Sequence, residues 1–250
     1  MTQLKPMVRA AFATLVALAA IGLPGAANAV ERKLLVASFD NIVVIGDVTV
    51  IVQTGRAVSG IANGDQRMLD SLKLERTGNT LRVRLQNIIN NDNNRPITQR
   101  LRVVLTTQQI RDITLSGNGD VTVNNIDQAA GVRILLAGGG RVSIGNLRAD
   151  QFAANINGNG QIQISSGSVR DSRVTISGAG EYQAANLQSR KLRLEHNGNA
   201  SSSASASEEA QIFNRGSGNI NIGGAGTCFI KAAGGASIKC TKIDGVNKKR

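Results

Sequence analysis

The chain of 250 residues has no tryptophan, one tyrosine and five phenylalanines. Proteins often hold sugars and bases by stacking them on aromatic rings, so this composition speaks against a carbohydrate or nucleic-acid platform of that kind. There is one histidine, His196, and no Gly-x-Ser-x-Gly elbow. The serines therefore have no evident base, and a hydrolase triad lacks its parts. Cysteine is limited to Cys228 and Cys240, and a metal site would want further ligands. Beyond the N-terminus, no segment approaches the ~20 apolar residues that a transmembrane helix needs.

Glycine, by contrast, is abundant and regularly placed, with 28 residues. ITLSGNGDVTV (Ile113–Val123), LLAGGGRVSI (Leu135–Ile144), NINGNGQIQI (Asn155–Ile164), TISGAGEYQA (Thr175–Ala184) and FNRGSGNINI (Phe213–Ile222) all carry Gly-x-Gly, one residue, then a strand. The first glycines are Gly117, Gly138, Gly158, Gly178 and Gly216, at spacings of 21, 20, 20 and 38. The second are Gly119, Gly140, Gly160, Gly180 and Gly218. LEHNGNASSSA (Leu194–Ala204) fills the long gap, with His196 read in the first glycine slot as a surface turn residue; AAGGASIKC adds a last copy with Gly234 in that slot. A phosphate-cradling loop would lead into a helix, whose N-terminus supplies the free donors. Here the glycines lead into strands, and Asp120 puts a carboxylate where the phosphate would sit.

A period of about twenty, with strands on both sides of a glycine corner, predicts an all-β chain folded as a parallel β-solenoid, one repeat per rung. Stacked corners bring backbone against backbone and often need positive φ, which suits glycine. Val132, Ile134, Leu136, Val142 and Ile144 share a parity, as do Phe152, Ala154, Ile156, Ile162 and Ile164, so both sets are expected in one continuous core. Asn125, Asn146 and Asn186 recur after the second strand, where stacked amides can bond coil to coil. The outward rows Asp120, Arg141, Gln161, Glu181 and Thr122, Ser143, Gln163, Gln183 form the candidate binding ladder.

The first 29 residues read as a signal peptide: Lys5 and Arg9, an apolar run from Ala10 to Leu23, then Ala27-Asn28-Ala29. This predicts a periplasmic or secreted protein. Cleavage removes Lys5 and Arg9 from a net charge of +12, leaving about +10, which favours anionic surfaces or polymers. Arg82 and Arg84, and Arg100 and Arg102, alternate with apolar residues and occupy the solvent side of strands, either as a solvated face or as an anion-binding stripe. Aligned on the glycine corner, Cys228 and Cys240 both point inward in the last rung, and in an oxidising compartment a disulfide is expected between them.

Residues 30–99 are read as N-terminal strands (Ile42–Ile45, Val48–Val52, Leu81–Leu85), a short helix near Gln66–Leu72 that caps the coil, and a polar loop at Ile88–Gln99. Regular rungs follow over 100–243, with Ser201–Ser207 read as a loosened or bulged edge, and 244–250 as a frayed basic tail.

FDNIVVIGDVTV near the N-terminus, LRVVLTTQQIRDITLSGNGDVTV and the repeated [SN]-G-x-G-x-hydrophobic units resemble the head GIN domain family of auto-transporter adhesin-like proteins. The resemblance spans about Phe39 to Cys240 and implies a right-handed parallel β-helix in the cell envelope, with no catalytic residues to carry over. A non-enzymatic, cofactor-free binding or adhesin-like surface is the expectation. Its partners would be an envelope polysaccharide, an anionic surface or another envelope protein. The alternative is a polysaccharide-cleaving β-helix, which needs carboxylates close enough to act as a pair. Asp120 and Glu181 are three rungs apart, about 14 Å at ~4.8 Å per rung.

Overall fold

The computed structural model describes residues 30–86 and 100–248; the expected signal segment and the whole of the polar loop Ile88–Gln99 lie outside the described residues. The N-terminal part holds β1 (Val30–Leu34), β2 (Asn41–Ile45), β3 (Thr49–Thr54), β4 (Ser59–Gly64), α1 (Gln66–Ser71), β5 (Leu72–Thr77) and β6 (Thr80–Leu85). Then come β7 (Arg102–Thr107), β8 (Asp112–Ser116), β9 (Asp120–Gly138), β10 (Arg141–Gly158), β11 (Gln161–Gly178), β12 (Glu181–Asn214), β13 (Ser217–Ala232) and β14 (Ser237–Lys248). From β9 to β14 each pairs in parallel with the next, stacking about six turns of about 20 residues into a β-solenoid.

Side-chain parity explains the shape of a coil. In β10 the buried positions are Val142 and Ile144, then Leu147, then Phe152, Ala154 and Ile156. A strand alternates its faces, so the odd steps from Ile144 to Leu147 and from Leu147 to Phe152 mark two bends, and the glycine corner makes a third. A coil therefore has a first face (141–144), a second (146–149) and a third (151–157). Like side chains stack in columns: Val121, Val142, Ile162 and Tyr182 in one, Leu115, Leu136, Ile156 and Ile176 in another. The β9 coil carries one residue more than the β10 coil, and the pairing absorbs it by a register shift between Ala149 and Gln151, at the bend before the third face.

From β12 to β13 the register offset falls to 18, as in Asn199 opposite Ser217 and Asn214 opposite Ala232. The residues inside are correspondingly small: Ala200, Ser202, Ala204, Ala206 and Ala210. A close-packed interior with less side-chain volume needs a shorter perimeter. The Ser201–Ser207 stretch, expected as a loosened edge, is instead regular strand within β12, with Ser202, Ala204 and Ala206 inward.

The corner glycines stack as a column. Gly117, Gly138, Gly158, Gly178, Gly198 and Gly234 all have φ between +118° and +139°, and Gly46 in the β2–β3 turn, at +103°, lies against Gly117. Asn159 N–H donates to Gly138 O at 3.0 Å, and Ala179 N–H to Gly158 O at 3.1 Å. The corner of the fifth coil is Gly198, opposite Gly178, not His196, which lies opposite the core residue Ile176. The reading that put His196 in the corner was two residues out of register, because Gly198 and Ala200, not His196 and Gly198, repeat Gly178 and Gly180.

β2 and β3 belong to the stack, parallel to β8 and β9. Antiparallel strands finish this end: β1 and β4 beyond β7 on one side, β5 beside β6 on the other. Helix α1 buries Met68 and Leu69. At the far end, Cys228 of β13 and Cys240 of β14 form a disulfide with a Cα–Cα distance of 6.6 Å.

Candidate binding surface

The first face places Asp120, Arg141, Gln161 and Glu181 opposite one another on consecutive coils. Their polar groups are largely used on each other. Arg141 Nε donates to Gln161 Oε1 at 2.6 Å, Gln161 Nε2 to Glu181 Oε2 at 2.8 Å, and Gln183 Nε2 to Glu181 Oε1 at 2.6 Å. Arg100 reaches Asp120 at 3.5 Å and Asp47 at 3.9 Å. Arg102 points to solvent from β7, opposite Thr49 and Asn63. This row is zipped along the axis and offers a partner few free charges. On the second face Asn146 donates to Asn125 Oδ1 at 2.8 Å, and Ser166 continues the ladder to Asn146 at 3.3 Å.

His196 is not a surface turn residue but is fully buried, its Nε2 2.6 Å from Ser202 Oγ. The pair resembles a base and a nucleophile, but both groups sit inside the coil and Nδ1 has no hydrogen-bond partner to orient it. A triad needs that third group and access to substrate. Among the described residues no three His, Cys, Asp or Glu side chains come together as metal ligands.

Burial holds the His196 pKa below its ordinary value. As pH falls through about 6.5 the unfolded chain takes up a proton that the folded core still refuses. Over that window the unfolded state binds more protons, so stability falls with pH until the lower, folded pKa is reached. His196 is the only histidine, so thermal melts between pH 7 and 5 should slope downward for the native protein and much less for His196→Leu. Equal slopes would show that the imidazole is not held neutral.

The third face is built differently. A groove of about 920 Å³ runs across it, over β9 to β12. Arg133, Ala153, Arg173 and Arg193 stand in one row on consecutive coils, and Asp171, Lys191 and Glu209 lie in the row beside it. Asp112 holds Arg133 at 2.9 and 3.3 Å. Glu195 holds Arg193 at 2.7 Å, and that guanidinium lies 4.2 Å over the Phe213 ring. Arg173 and Lys191 make no hydrogen bond or ion pair among the described residues. Phe229, 44% exposed, stands on the same face one coil beyond Gln211, opposite it in the register. A count of aromatics could not show this: among the described residues Phe39, Phe152 and Tyr182 go inside, and the other two, Phe213 and Phe229, lie on adjacent coils of this face.

The architecture defines the class, a parallel β-solenoid whose outward faces carry stacked polar and charged rows. The sequence profile of the family described as "Putative auto-transporter adhesin, head GIN domain" matches residues 38–226, and the chain belongs to that family. Among solved structures, a "putative adhesin" from Bacteroides fragilis superposes with a TM-score of 0.69 at 19% identity, covering 87% of this chain and 99% of that one. A "putative lipid binding protein" from Parabacteroides distasonis gives 0.62 at 19% identity, over 85% and 96%. A "putative adhesin" from Parabacteroides merdae gives 0.61 at 14% identity, over 86% and 97%. At these identities the likeness is one of fold. The search of curated proteins finds no match.

Proposed function

We propose that the protein is an exported, non-enzymatic β-solenoid of the cell envelope, periplasmic or secreted, that acts as an adhesin-like binding surface for an envelope polymer or partner protein. The observation that carries this reading is the in-register stacking of outward side chains over about six turns. Repeated groups at ~4.8 Å intervals on a rigid face suit many weak contacts with a long or repetitive partner. The N-terminal signal pattern, the disulfide and the adhesin description of the family support export and binding. Against the polysaccharide-cleaving alternative, the first-face carboxylates Asp120 and Glu181 are three register steps apart and Glu181 is bonded to Gln161 and Gln183.

Co-sedimentation of the mature protein with peptidoglycan, with extracted envelope polysaccharide and with anionic phospholipid vesicles tests the reading. Retention by at least one of them at low salt is the expected result. Retention by none overturns the binding role, and release of reducing sugar or unsaturated product overturns the non-enzymatic one.

A further inference from the structure

The third face sets cations that make no ion pair on the same face as outward aromatic rings. Its carboxylates are committed: Asp112 to Arg133, Asp171 to Arg170 at 3.1 Å, Glu195 to Arg193, and Glu209 to Gln211 at 2.6 Å. Two of its cations, Arg173 and Lys191, make no hydrogen bond or ion pair among the described residues, although the Lys191 charge also acts on Glu208. Further along the same face stand the outward aromatics of the described residues, Phe213 and Phe229 on adjacent coils, Phe229 three coils beyond Arg173, with Lys231 5.9 Å from the Phe213 ring. Arg193, held between Glu195 and that ring, fixes the ring's position.

We propose that this face binds a linear polysaccharide bearing carboxylates, a deepening that rests on the binding role above. Phe213 and Phe229 lie against the C–H faces of pyranose rings, and Arg173 and Lys191 take the carboxylates. Three considerations favour this occupant. A coil spacing of ~4.8 Å is close to the length of one pyranose unit, so successive sugars meet successive coils. The surface is a sheet face without a free backbone edge, so an extended peptide cannot be added as a strand. Two rings set among charges make too small and too interrupted an apolar patch for insertion into a bilayer.

The test measures binding of the mature protein to immobilised polygalacturonate, with dextran, polyphosphate and polyglutamate as comparison ligands, over a series of salt concentrations. Polygalacturonate should be held at least tenfold more tightly than each of the others. Arg173→Ala with Lys191→Ala should weaken it about tenfold and flatten its salt dependence, because screened charge pairs have been removed. Phe229→Ser should weaken it severalfold and leave the salt dependence as it was. All of these side chains are outward, so circular dichroism should show unchanged folding. Equal binding to polyglutamate or polyphosphate would reduce the site to charge alone and overturn the sugar assignment. Native-like binding by the variants would overturn the assignment to this face while leaving the binding role standing. Retention of the native protein by no envelope material would remove the role beneath it.

Discussion

Gly158→Val is expected to destabilise the protein by about 3 kcal/mol, lowering the melting temperature by roughly 6–12 °C for a chain of this size. Two effects combine. Gly158 has φ +119°, a region that residues with a Cβ rarely enter, and a Cβ there would lie 2.7 Å from Gly138 O. That carbonyl cannot withdraw cheaply, because it accepts the Asn159 N–H. Gly178 sits against Gly158 in the same way, so displacing one corner disturbs its neighbours on both sides. Gly131→Ala is the control: its Cβ would meet Gln151 at an ordinary 3.7 Å, and its φ is not in the positive region. It should change stability by no more than about 0.5 kcal/mol. Thermal melts of the two variants decide the matter, and a Gly158→Val protein as stable as the native one would mean that the corner tolerates a side chain.

Loss of the Cys228–Cys240 bond should cost about 3 kcal/mol, the amount expected for closing so short a loop in the unfolded chain. The damage should be local. β14 pairs only with β13, whereas β10 and β11 have a neighbour on each side. In a stack whose units touch only adjacent units, the last one opens first. Hydrogen exchange on Cys240→Ser should therefore show early loss of protection in β14 while β9 to β11 remain protected. Equal loss along the whole stack would contradict this, as would two alkylatable thiols in freshly isolated native protein.

The solenoid was legible in the sequence because two independent signals agreed. The spacing of Gly117, Gly138, Gly158 and Gly178 marked the coil, and the parity of residues such as Val142, Ile144, Phe152 and Ile156 marked its interior. The family resemblance agreed as well. What failed had local causes. His196 was misplaced because the irregular interval between Gly178 and Gly216 hid the corner at Gly198, and the coil shortens to 18 residues there. β4 and β5 lie outside the repeat and pair antiparallel, so no period announced them. The third face depends on which rows become neighbours: Phe213 and Phe229 are 16 residues apart, and only a register of 18 makes them diagonal neighbours. The repeat places Asp120, Arg141, Gln161 and Glu181 in one row, but the bonds that occupy Arg141, Gln161 and Glu181 depend on rotamers that a pattern does not reveal.

The register shift between Ala149 and Gln151 bears on how such a chain can change over generations. An insertion within a face would turn every later side chain of that face from core to solvent, and the coil would be lost with it. At the bend the extra residue near Ala130 leaves both sides in step: Val123 still stacks on Ile144, and Val132 on Phe152. From β9 to β13 the coils thus count residues strictly along their faces and loosely at this bend. Mutation has a place there to lengthen the chain without rewriting the core, directly beside the groove of the third face.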